Sequence, residues 1–289
     1  MGASNIIKLI RLHQYIKNGF IFLPLFFASR ITDTALLINA VIAFIAFSLT
    51  ASAIYVLNDY RDIEDDKLHP TKKNRPLASG VITKPQGLVI MMLLLVSGVA
   101  LAASVSFTAM AILLGYVVMN IAYSFYLKHI AILDVTIIAV GFVLRIFVGS
   151  AATDTPLSMW IIIMTFLLAL FMALAKRRDD VLIYQETGEK IRKVVDGYSL
   201  QFLDIAMAIM ASVVIVAYTI YTTSFEVIAS VQNEYLYVTT IFVIVGILRY
   251  LQIAFIQQDS GSPTRIMLKD RFMQFTLMGW VTTFVWMLY

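Results

Sequence analysis

The sequence predicts an all-α, polytopic membrane protein, and three observations predict it. Of 289 residues, 60% are hydrophobic and only 14% are charged. A soluble domain has about a quarter of its residues charged, so too little polar surface remains here to cover a water-soluble globule. The mean hydropathy is +0.85. The apolar residues also come in runs of the length that a hydrocarbon core of ~30 Å requires, roughly 20 residues per helix; Gln86 to Phe107 is one such run. The chain has no cysteine, which excludes disulfides and Cys-based metal centres. The net charge of +4 matters less than the placement of the charges, and nothing in it points to a nucleic-acid partner.

The elements follow in order. Residues 1–18 read as an interfacial amphipathic segment, because Lys8, Arg11, Gln14 and Asn18 fall on one polar stripe at helical spacing. Nine spans follow, over roughly 19–31, 35–57, 86–106, 108–126, 130–152, 157–175, 200–223, 235–256 and 272–288. The break at 104–108 is short and carries no charge, which predicts a tight hairpin between the third and fourth. Thr83-Lys84-Pro85-Gln86 predicts a capping box that starts the third span. Segments 58–85, 127–129, 176–199 and 257–271, with the N-terminal Lys8, Arg11 and Lys17, carry the basic residues of the loops, whereas the opposite side has Arg30 alone. The positive-inside rule makes the basic side, and with it the N-terminus, cytoplasmic. This predicts one membrane domain over 1–289. Its two long inner segments, 58–85 and 176–199, would meet a water-soluble substrate in a central cavity open to the cytoplasm.

The chemistry is concentrated where the second span ends, at Asn58-Asp59-Tyr60-Arg61-Asp62-Ile63-Glu64-Asp65-Asp66. If the helix continues, Asn58, Asp62 and Asp66 recur every fourth residue and Asp59 lies beside Asp62. Carboxylates gathered on one face repel one another unless a cation joins them, and all-oxygen ligands favour Mg²⁺ with substrate phosphates. Asn58, Asp59, Asp62 and Asp66 are therefore the candidate metal ligands, with Asp59, Asp62 and Asp66 essential to catalysis. Bases follow at once, among them Lys67, Lys72, Lys73 and Arg75, the layout expected of a diphosphate site. Lys176, Arg177 and Arg178 begin a second, more basic inner segment that includes Arg192. Arg145 lies inside the fifth span, where a charge costs at least ~2.5 kcal/mol. It should meet an anion, either a phosphate or a carboxylate of another helix.

Asn58-Asp59-x-x-Asp62-x-x-x-Asp66, followed by Arg75-Pro76-Leu77 and Gly80, resembles the first signature of the UbiA superfamily of intramembrane prenyltransferases. That family binds an isoprenoid diphosphate through Mg²⁺ and joins the prenyl group to an aromatic acceptor. Typical members carry a second Asp-rich motif after the sixth span. Here Asp179 and Asp180 are adjacent and surrounded by bases. With Gln14-Tyr15-Ile16-Lys17-Asn18, Tyr123 through Lys128, Asp134, Gly141 through Arg145, Gly149, Lys176-Arg177, Ile191-Arg192-Lys193 and Tyr198, this resembles the decaprenyl-phosphate phosphoribosyltransferase branch. The resemblance implies a phosphoribosyl diphosphate donor, a polyprenyl phosphate acceptor, Mg²⁺, and a place in the bacterial cytoplasmic membrane in cell-wall precursor synthesis. It implies substrate-binding roles for Lys17, Lys72, Arg75, Tyr123, Lys128, Arg145, Lys176, Arg177 and Arg192. Tyr55, one turn before Asn58, is placed to contact the sugar, or is simply an interfacial Tyr. The alternative is a prenyltransferase with an aromatic acceptor.

Overall fold

A computed structural model describes residues 3–68, 72–188, 193–261 and 263–288. Its regular structure is helical, with no strand among the described residues. The chain divides into two compact units, Met1–Tyr126 with Gly141–Leu157, and Leu127–Val140 with Ser158–Tyr289.

In the first unit, α1 (Ala3–Ile10) ends at Arg11, whose φ of 53° and ψ of 52° are left-handed. A 3₁₀ stretch (Leu12–Phe22) and the short α2 (Leu23–Phe27) follow. The stripe expected along 1–18 is therefore not one stripe: the helix breaks at Arg11, and Asn18 is buried. The first expected span, 19–31, is formed by the end of the 3₁₀ stretch, α2 and a turn. α3 (Thr34–Arg61) begins at Asp33, whose carboxylate accepts from the Ala35 and Leu36 amides at 3.0 and 3.2 Å and so satisfies two N-terminal donors. It is 28 residues long, about 42 Å at ~1.5 Å per residue. The short α4 (Ile63–Leu68) continues beyond Asp62. α5 (Lys84–Val105) opens with the capping box at Thr83 and Gln86. It meets α6 (Phe107–Phe125) at Ser106, which ends one helix and caps the next by accepting from Ala109 N, so the corner is tight. α3 and α5 approach closely at Gly98, where a Cβ would lie 2.3 Å from Thr50 Oγ1 and 2.7 Å from the Ala46 carbonyl. The unit's core gathers Ile21, Phe47, Ile54, Leu113, Tyr116 and Val148, the last from α7 (Leu133–Thr153).

In the second unit, α8 (Met159–Thr187) starts at Ser158, whose hydroxyl accepts from Trp160 N, and ends at Gly188 with φ 72°. It runs three turns past the expected end of the sixth span, so Lys176 to Tyr184 are helical where a loop was expected. α9 (Leu200–Thr223), α10 (Phe225–Val231), α11 (Thr240–Phe255), α12 (Pro263–Lys269) and α13 (Arg271–Leu288) complete the chain. The core contains Phe171, Leu203, Met207, Tyr250 and Met273. On α9, Phe202, Ile205, Ile209, Val213, Val216 and Ile220 are exposed at helical spacing, a continuous apolar face of the kind that lipid covers. Among the described residues, seven helices are long and apolar enough to cross a membrane. The first and ninth expected spans are not among them.

Candidate active site

The acidic motif folds differently from a continuous helix. α3 ends at Arg61, and Asp62, with φ −91° and ψ 13°, interrupts it before α4. The four expected ligands thus do not share one unbroken helical face. Asp59 and Asp66 are drawn together instead, both almost fully buried. Arg75 Nη1 donates to Asp59 Oδ1 at 3.0 Å and to Asp66 Oδ2 at 2.7 Å. Arg11 Nη2 donates to the same Asp59 oxygen at 2.5 Å, and its guanidinium lies 5.0 Å from the Tyr55 ring centroid. The carboxylates are 3–4% exposed and the two guanidiniums 23% and 29%, so the acids form the floor and the arginines the outward face. Asn58 and Asp62 are half-buried on the adjoining turns. Lys72 is half-buried in a 3₁₀ turn over Lys72–Asn74. Outside the cluster, Lys67 donates to Glu64 at 3.0 Å and holds its carboxyl below the usual range.

This donor set suits a divalent cation. Two carboxylate oxygens, one from each acid, already meet at a single positive nitrogen. Mg²⁺ is held in many sites by one or two carboxylates plus substrate phosphates. Among the described residues no three acidic or histidine side chains converge to hold a metal by themselves, so the remaining ligands would come from substrate and water.

A polar seam runs along α3 away from the acids. Ser48, Ser52, Tyr55 and Asp59 recur at spacings of four, three and four, one face of an otherwise apolar helix. The N-terminal segment pairs with it: Asn18 Nδ2 donates to Ser48 Oγ at 2.9 Å, Tyr15 and Ser52 share a hydrogen bond at 3.1 Å, and Ser52 Oγ donates to the Ile10 carbonyl at 2.7 Å. At the far end, Arg145 meets no carboxylate among the described residues. Its Nε donates to Asn18 Oδ1 at 2.8 Å and its Nη1 to the Gly141 carbonyl at 2.7 Å, and its guanidinium lies 4.8 to 5.5 Å from the ring centroids of Phe47, Phe142 and Tyr116. Neutral oxygens and ring quadrupoles surround it within the protein. Lys17 and Tyr123 are half-buried in the same unit.

In the second unit Arg177 is embedded in protein. Its Nε donates to Asp134 and its Nη1 to Asp180 at 2.6 Å. Tyr198 Oη donates to Asp134 at 2.6 Å and accepts from the Ile132 amide at 2.7 Å; burial and the Asp134 carboxylate push its phenol pKa up. Arg177, read from sequence as a phosphate ligand, is thus held between two carboxylates. Lys128 is half-buried in a 3₁₀ turn and Lys176 is exposed on α8. Arg192 lies outside the described residues.

The sequence profile of the UbiA prenyltransferase family matches residues 19–278. The chain belongs to the UbiA prenyltransferase family. Within reach of this UbiA chain are the decaprenyl-phosphate phosphoribosyltransferases of Mycolicibacterium smegmatis, 33% identical over 97% of this chain and 91% of that protein, and of Corynebacterium glutamicum, 32% identical over 99% and 87%. The structure of a UbiA homolog from Archaeoglobus fulgidus bound to GPP and Mg²⁺ superposes with a TM-score of 0.73 over 97% of this chain and 98% of that one, at 19% identity, a likeness of fold. The resemblance assigns no site role to Arg11, Asn18 or the seam serines. The four-three-four polar spacing on α3 is the sequence signal that marks this seam.

Proposed function

We propose that this chain transfers 5-phosphoribose from phosphoribosyl diphosphate to a polyprenyl phosphate of the decaprenyl type, releasing diphosphate. The observation that carries the reading is the buried Asp59–Asp66 pair, converging on one cationic position beneath outward-facing guanidiniums. Such a site takes a cation and a polyanion together. The near full-length likeness to decaprenyl-phosphate phosphoribosyltransferases supports phosphoribose, rather than a prenyl group, as the part transferred.

In this reading an oxygen of the lipid phosphate attacks C1 of the ribose, the bond from C1 to the diphosphate oxygen breaks, and diphosphate leaves with both electrons. The attacking phosphate is already anionic at neutral pH, so the chain supplies position and charge in place of a general base. Bound Mg²⁺ would neutralise the leaving diphosphate. Asp59 and Asp66 would hold that cation, with Asn58 and Asp62 on the turns beside it. Arg75 and Lys72 face the diphosphate oxygens, and Tyr55 lies against the sugar. Lys17, Tyr123, Lys128, Lys176 and Arg192 are assigned to the remaining phosphate oxygens. Arg145 and Arg177, enclosed by protein groups, are assigned to holding their surroundings in shape. The reading includes nine spans in one domain of the bacterial cytoplasmic membrane, with the N-terminus and a central cavity on the cytoplasmic side. It is supported by the excess of Lys and Arg on that side.

The test is an incubation of purified protein with labelled phosphoribosyl diphosphate, Mg²⁺ and polyprenyl phosphate. A ribosylated phospholipid is the expected product. Its absence, with product from a prenyl diphosphate and an aromatic acid, would reject the reading in favour of prenyl transfer.

A further inference from the structure

Asp59 carries more positive charge than a structural ion pair needs. One of its oxygens accepts from both Arg11 and Arg75, and Arg75 alone already joins it to Asp66. Arg11 reaches that oxygen at a conformational cost. Its backbone is left-handed at φ 53°, a region that residues other than Gly enter at an energetic cost. That break between α1 and the 3₁₀ stretch turns its side chain to the end of α3. The rest of the segment is anchored independently, through Tyr15 to Ser52 and Asn18 to Ser48. The Arg11 guanidinium can therefore move without the segment moving.

The charges give the reason to move. Two guanidiniums and two carboxylates cancel in the structure. A divalent cation entering alone would make this half-buried group strongly positive, and it would compete with Arg11 for Asp59. A diphosphate arriving with the cation restores the balance, and it arrives on the outward face, which is guanidinium. We infer that Arg11 is a diphosphate ligand: it neutralises Asp59 in the structure and turns to the phosphate oxygens when a cation takes that carboxylate. The inference rests on the diphosphate reading above and adds to it a residue and an exchange of partners.

The test measures binding, not turnover. Isotherms are recorded on full-length protein in nanodiscs for Mn²⁺ alone and for inorganic pyrophosphate at saturating Mg²⁺, in wild type, Arg11→Gln and Arg11→Lys. Removing the competitor should tighten Mn²⁺ binding by Arg11→Gln several-fold. Losing a charge-assisted hydrogen bond should weaken its pyrophosphate binding by about tenfold or more. Arg11→Lys should shift both in the same directions by less. A purely structural arginine would move both affinities the same way or neither, and either result overturns the inference. If Arg11→Gln does not fold, the same split in Arg11→Lys decides, and its absence overturns it equally. Wild type that binds no pyrophosphate with Mg²⁺ would sink the diphosphate reading and this inference together; wild type that binds it without the split sinks this inference alone.

Discussion

Arg177→Met tests the second unit at a deeply buried charge. Arg177 is 1% exposed; its partners Asp134 and Asp180 are 0% and 7% exposed. Methionine fills much of the volume but removes five donors. Asp134 would keep the Tyr198 hydroxyl, and Asp180 would lose its Arg177 bond. Breaking a buried pair from one side costs about 3–5 kcal/mol, because the partner charge stays buried. With two buried carboxylates each losing a guanidinium bond, the loss should fall within that range. The measurement is the free energy of SDS-induced unfolding in mixed micelles, with near-ultraviolet circular dichroism following tertiary packing. Asp134→Leu placed in the same chain should recover part of the loss, since a buried pair replaced by apolar groups is often neutral. A loss under ~1 kcal/mol, with a raised KM for phosphoribosyl diphosphate, would show that Arg177 serves substrate, and the structural reasoning would be wrong.

Three further outcomes are expected. Asp62→Ala and Asp66→Asn should each abolish turnover while the protein stays folded by gel filtration; near-normal rates in both would contradict a cation role for the motif. Gly98→Leu should force α3 and α5 apart, costing at least the ~1–3 kcal/mol typical of overpacking, because the added atoms meet Thr50 and the Ala46 backbone; Gly98→Ala should cost less, and a neutral leucine variant would mean the helices are not so close. Asp270 accepts from Arg249 Nη2 at 2.6 Å, which holds its carboxyl below the ordinary value. A depressed carboxyl stabilises the fold above its unfolded pKa of ~3.9 and loses that contribution as pH falls through the lower folded value. Unfolding followed from pH 6 to 2 should thus show a steeper acid limb in wild type than in Asp270→Asn, and identical limbs would count against the pair.

Local signals in the chain reported local structure well. Ser106, Ser158 and Ser199 each cap the helix that follows, as short hydroxyl side chains do at helix starts. The Thr83–Gln86 box closes as its spacing requires. The acid-rich motif was legible as a place where charge needs a partner, because carboxylates at the end of an apolar helix repel unless something joins them. Its geometry was not. Helical spacing put Asn58, Asp62 and Asp66 on one face, but the turn at Asp62 and the return of Arg75 put Asp59 with Asp66.

The sequence by itself determined that the chain is helical and built for a membrane, and it determined where polar chemistry gathers. Those properties depend on composition, run length and caps, all settled within a few residues. Only the tertiary structure decided which charges meet. Arg11 finds Asp59 across 48 residues, Arg145 finds Asn18 across 127, and Arg177 finds Asp134 across 43. No local spacing encodes such separations. Each buried charge takes the best partner that folding brings within reach, and the identity of that partner is a property of the packed chain.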